Sequence, residues 1–230
     1  MVAIAAAFSA LLASQGAAQG APASILVFSI AASMASLAVA VLGTFVITGE
    51  YSTGMIRSTL AAVPRRLQAL WAKGLVLAVS IFLVSIVGVA LSLAVMKLFL
   101  GAKGLAPDLG NRETLRILLG TALYLTAIAS LAFAIGALLR HSAGALAAVL
   151  GLLLVIENLA QIPWKPLQLI SPFLPGTAGS KILMNQAEIN EISHGSVGAV
   201  LGPWQGFAVL LAWVAVLLTA AAALLRHRNA

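Results

Sequence analysis

Residues 24–48 read SILVFSIAASMASLAVAVLGTFVIT, and residues 49–73 continue as GEYSTGMIRSTLAAVPRRLQALWAK. The first stretch carries no charge over 25 positions. That is long enough for a tilted helix to cross a hydrocarbon core about 30 Å thick. The second holds Arg57, Arg65, Arg66 and Lys73. Each cation would cost about 3 kcal/mol near the centre of a membrane helix, on the order of 10 kcal/mol together. The two stretches therefore read as a crossing followed by a segment held in water or at the headgroups.

Composition supports this reading along the whole chain. Of 230 residues, 62% are hydrophobic and 8% charged, against roughly 25% charged in an average soluble domain. Mean hydropathy is +1.09. The absence of cysteine removes disulfides, thiol nucleophiles and cysteine-held metal. The net charge of +7 is dispersed between apolar runs without interleaved aromatics, which argues for membrane-flanking charge and against nucleic acid.

The expected fold is an all-α polytopic membrane protein, a single permease-like domain over residues 1–230. Apolar runs place spans at about 24–48, 75–96, 117–139, 142–161 and 207–225. Residues 1–14 are apolar but short and lack the basic start of a secretory signal, so they read as part of a sixth span; five spans is the alternative. The segments 49–73, 140–142 and 226–230 hold seven Lys/Arg in 33 residues, whereas 97–116 and 162–206 hold six in 65. By the positive-inside rule the denser set, with the C-terminus, faces the cytoplasm.

Within the spans, Ser29, Ser33 and Ser36 share a helical face, Gly88 and Ser92 are four apart, and so are Ala132 and Gly136. Such stripes suit close helix contact in lipid; a polar path along the serines is the other reading. In the basic segment, Ile56, Leu60, Val63 and Leu67 recur at helical spacing, Ser52 or Thr53 can cap the start, and Pro64 ends or kinks the helix. Trp71 and Lys73 read as an interfacial anchor. A short amphipathic helix at the inner face either transmits motion or only fixes topology and binds anionic lipid.

The pattern E-Y-x-x-G-x-I-R-x-T-L-x-x-x-P-R-R, formed by Glu50, Tyr51, Gly54, Ile56, Arg57, Thr59, Leu60, Pro64, Arg65 and Arg66, resembles the loop between the second and third spans of ABC type-2 transporter permeases. L-P-G-T-A-G at Leu174–Gly179 is similar to a stretch in their outer loop before the last span. Met55 stands where the family often has Thr, and the amphipathic helix that normally precedes the first span is absent. The resemblance implies a bacterial inner-membrane exporter subunit that dimerises with itself or a relative. It further implies that residues 50–66 dock a cytoplasmic ATPase, which binds the ATP and leaves this chain without a cofactor or catalytic residue.

No G-x-x-x-x-G-K-[ST] occurs, and the glycine-rich Gly176–Lys181 has the wrong spacing for a phosphate loop, so energy has to come from another chain. Glu157 is the one ionisable residue inside an expected span; with Asn158 it forms a possible outer gate, although 1.5 Å per residue from Ser142 puts it near the headgroups. His141, His194 and His227 lie far apart in sequence and suggest no metal site. Gly195 and Ser196 beside His194 do not suggest a buried protease dyad. The outer loop from Ile162 to Gln205 opens with Pro163, Pro166, Pro172 and Pro175; Ala178, Ile182, Ile189 and Ile192 on one side suggest a lid helix on the outer membrane face, or else a packed connector. An ion-coupled carrier and a structural membrane protein remain the alternatives to the exporter.

Overall fold

The computed structural model describes residues 22–52, 66–100, 110–159, 162, 164–195 and 198–227, with isolated positions 2, 3 and 7. The expected span over residues 1–14, apart from those isolated positions, and residues 53–65 of the inner-face helix expected over 50–66 lie outside the described residues. Among the described residues the chain is all helical: α1 (Pro22–Ser52), α2 (Arg66–Leu100), α3 (Arg112–Leu139), α4 (Ser142–Leu159), α5 (Lys165–Ile170), α6 (Pro175–Ser180), α7 (Gln186–Gly195) and α8 (Pro203–His227). Five stretches are long and apolar enough to cross a membrane: Phe28–Gly49, Leu67–Leu98, Arg112–Leu139, Ser142–Leu159 and Pro203–Leu225. The chain is thus membrane-embedded in character.

α3 is the central helix. Buried residues make up 67% of its most apolar stretch, against 17% for α2, α4 and α8. Its Ala127, Ala129, Ala132 and Ala134 let neighbours approach closely, the packing that small residues supply where lipid offers no hydrophobic drive. A Cβ on Gly136 would lie 2.6 Å from Ile47 Cγ2 of α1, so the Ala132–Gly136 stripe does mark a helix contact. Gly88 of α2 instead faces open space among the described residues. Interior hydroxyls of α1 and α3 bond their own helix: Thr44, Thr48 and Thr121 donate to the carbonyls of Ala40, Thr44 and Ile117 at 2.8–2.9 Å, whereas the buried Ser92 hydroxyl of α2 has no hydrogen-bond partner among the described residues.

Two apolar clusters fix how the helices alternate. Ile47, Leu70, Phe133 and Ala221 meet at one end of the bundle, and Phe28, Met96 and Ile117 at the other. Ser52, Arg66, Arg140 and His227 therefore share one end, the basic end. α3 and α4 are joined there by Arg140 and His141 alone. Arg140 adopts the left-handed conformation (φ 56°, ψ 12°) and returns its N–H to Gly136 O at 3.0 Å, while His141 Nδ1 accepts from Gly144 N at 3.1 Å to cap α4. The turn makes the two spans antiparallel neighbours.

Two sequence expectations are corrected. α2 begins at Arg66 and its apolar stretch at Leu67, ahead of the span start expected at 75, so Trp71 and Lys73 lie within the helix. Arg66 to Lys73 contains good helix formers, and buried Leu70 ties this turn to the bundle. The opposite loop is not one lid helix. It breaks into α5, a 3₁₀ turn at Ser171–Phe173, α6, a 3₁₀ turn at Lys181–Leu183, and α7. Prolines stand at the starts of three of these pieces, where a missing N–H costs nothing. Ala178, Ile182 and Ile189 are buried while Ile192 is exposed, and α6 packs against α3 and α8; the segment is a packed connector.

Candidate functional site

The connector is fastened before it builds anything. Arg116 of α3 donates to the carbonyls of Met184 at 2.8 Å and Ile182 at 3.3 Å, and pairs with Glu113 at 3.4 Å. Glu113 in turn accepts from the N–H of Gln186. Asn185 and Glu188 bond each other's backbone N–H at 2.7 and 2.9 Å, a capping box that starts α7 and ends the 3₁₀ turn before it. Trp213 Nε1 of α8 donates to Phe173 O at 2.9 Å. Unpaired carbonyls of an irregular segment are thereby satisfied by side chains from the spans.

So held, the connector closes a cavity of about 680 Å³ between α1, α3, α4 and α6. That volume is in the range of small-molecule sites. Its polar floor contains Ser36, Tyr124, Glu157, Thr177, Ser180 and Lys181. Glu157 is only 9% exposed. Gly176 N–H donates to its Oε1 at 2.5 Å, and Thr177 adds its N–H and hydroxyl. A Cβ at position 176 would collide with both carboxylate oxygens, which is why glycine stands there. Tyr124 is buried beside Glu157, with its phenol in hydrogen-bonding contact with Ser36.

Lys181 is the other charge in the cavity. It is 6% exposed, yet no hydrogen bond or ion pair reaches its ammonium among the described residues. Burial without a compensating partner pushes the ammonium below the ordinary lysine value. Glu157 is thus satisfied by neutral donors, whereas the Lys181 ammonium, on a buried stem, opens on the cavity without a protein partner among the described residues.

The expected outer-gate pair is split. Glu157 is buried in the cavity lining near the end of α4, and Asn158, which lines the same cavity, is exposed with its amide donating to Leu154 O at 2.6 Å. The reason is a π-helical stretch, Gly151–Ile156, which shifts the helix face just before them. Of the serines, Ser33 and Ser36 line the cavity and Ser29 donates to Leu183 O at 3.4 Å. The serine stripe therefore serves both contact and cavity wall.

Of the expected ATPase-coupling residues, Tyr51 is described: it is half-buried at the basic end, with the Arg140 guanidinium 5.7 Å from its ring centroid, a cation–π distance. Glu50 lies in α1 and Arg66 opens α2, with their side chains outside the described residues. Gly54, Arg57, Leu60, Pro64 and Arg65 also lie outside them. Tyr124, Thr177 and Lys181 were not singled out as a site in the sequence. The glycine-rich stretch and Asn185-x-x-Glu188 were the signals available, since they announce a tight approach and a helix start just past Lys181.

Compared with known families, curated proteins and solved structures, the chain matches no family model, no curated protein and no solved structure.

Proposed function

We propose that the chain is the membrane-spanning permease subunit of a bacterial ABC exporter, working as a dimer in the inner membrane with its C-terminus in the cytoplasm. A separate ATPase docks on residues 50–66, and its closure on ATP pushes this segment and tilts the spans. The dimer cavity then opens to the opposite side. The supporting observation is the gathering of Ser52, Arg66, Arg140 and His227 at one end of the bundle, which puts the segment carrying the permease-like pattern between two long spans. Tyr51, within that pattern, is coupled to Arg140 of the next inner turn, so a push there reaches the central helix α3.

The test is the double substitution Arg65→Glu and Arg66→Glu in the chain expressed in its native host. Wild type is expected to co-purify with ATPase activity. The variant should lose at least about tenfold of it while inserting normally, because charge-assisted contacts carry about 1.5–3 kcal/mol each. ATPase activity absent from wild type, or undiminished in the variant, rejects the proposal. Buried Glu157 favours one competing reading, an ion-coupled carrier. Such a carrier would keep transporting when Arg65 and Arg66 are reversed and would stop when the ion gradient is collapsed.

A further inference from the structure

An ammonium on a buried stem, opening on a cavity and without a protein partner, is placed to meet a counter-charge from a ligand. Lys181 is such a group among the described residues, and the cavity it lines is large enough for a ligand. The carboxylate in the same cavity is already engaged by Gly176 and Thr177, so the unmet demand is for an anion. The hydroxyls nearby are committed as donors within the protein: Ser33 to Ser29 O, Ser36 to Ser33 O and Ser180 to Thr177 O. Among the described residues Lys181 is the one cationic side chain of the lining, with Gln168 and Ser171 as further polar groups.

Beside these groups the lining is partly apolar. Leu37 and Leu153 form its walls, and Met34 of α1 and Leu154 of α4 stand at the edge with about half their surfaces exposed, on spans whose outer faces are hydrophobic. A ligand entering here meets lipid-facing side chains before it meets charge. We propose that the cavity binds an amphiphile with an anionic headgroup, phosphate or carboxylate, whose head meets the Lys181 ammonium while its chain leaves between Met34 and Leu154. The lowered proton affinity of Lys181 agrees with this, because an anion beside the ammonium would restore the charge that burial disfavours. The inference stands apart from the ATP-driven reading, since it concerns what the cavity holds and not what moves it.

The experiment uses the full chain in phosphatidylcholine nanodiscs, titrated with oleate, dioleoyl phosphatidic acid or uncharged monoolein. At least one acidic probe should bind wild type, and Lys181→Met should weaken it by about tenfold or more, as expected for loss of a charge-assisted contact. Lys181→Arg should retain most of the binding, and Lys165→Gln, which removes an exposed cation of the same connector, should change it by less than about twofold. Preference for oleate identifies a carboxylate head and preference for phosphatidic acid a phosphate head; either supports the site. Binding of neither, equal binding of monoolein, or equal losses in Lys181→Met and Lys165→Gln overturns it. The ligand-free Lys181→Met chain should melt no lower than wild type, since it loses a charge that has no protein partner among the described residues. A lower melting temperature would show that protein groups hold the ammonium, and would also overturn the proposal.

Discussion

α2 and the connector of residues 164–195 represent opposite ways of living beside lipid. α2 is a 35-residue helix whose own backbone satisfies itself, with Leu75, Val76, Leu83 and Val84 exposed along its length. The connector is broken into short helices and turns, and depends on Arg116, Glu113 and Trp213 from the spans to meet its carbonyls and N–H groups. The difference teaches where specificity resides. The exposed face of the long helix needs only hydrophobicity and is tolerant in detail, while the irregular segment needs particular atoms at particular distances and can therefore shape a cavity.

Substitutions at the two regions should separate them. The largest effect is expected from Gly206→Val in α8, because a Cβ there would collide with the Ala178 carbonyl of α6, backbone against backbone. A destabilisation of about 3 kcal/mol is expected in denaturant titration of the detergent-solubilised chain; a change under about 1 kcal/mol would mean that α6 is not seated on α8. Arg116→Ala should cost about 2 kcal/mol by the same titration, since two carbonyls lose a charged donor. It should also increase proteolysis near Met184, and an unaltered cleavage pattern would contradict the clamp. Smallest is Val84→Ala in α2, 68% exposed, with less than about 0.5 kcal/mol expected. A cost comparable to Arg116→Ala would reveal a partner covering that face and would erase the contrast.

The same contrast explains what could be read from sequence. Long uncharged runs named the five candidate spans, within about five residues at each end except for the start of α2, because crossing a bilayer is a matter of length and hydropathy. Which span is central was not legible: α2 has mean hydropathy 2.7 and α3 2.1, yet α3 is the buried one. The clue was its alanines and glycines, and small-residue packing is pairwise, so a single chain read alone does not name the partner. The cavity was harder still. Glu157 stood out, but Lys181 did not, because a lysine in a loop is ordinarily solvated, and its burial results from distant residues folding the loop inward.

The widened turn at Gly151–Ile156 bears on how membrane sequences are scanned generally. A π-bulge accommodates one residue beyond what regular pitch allows, so everything past it is rotated by about 100° from where a helical wheel would draw it. Wheels and sliding windows assume constant pitch, and here they aim Glu157 and Asn158 at the wrong surroundings. Deleting a single residue from the bulge would exchange their surroundings, turning the carboxylate toward the acyl chains and the amide toward the interior.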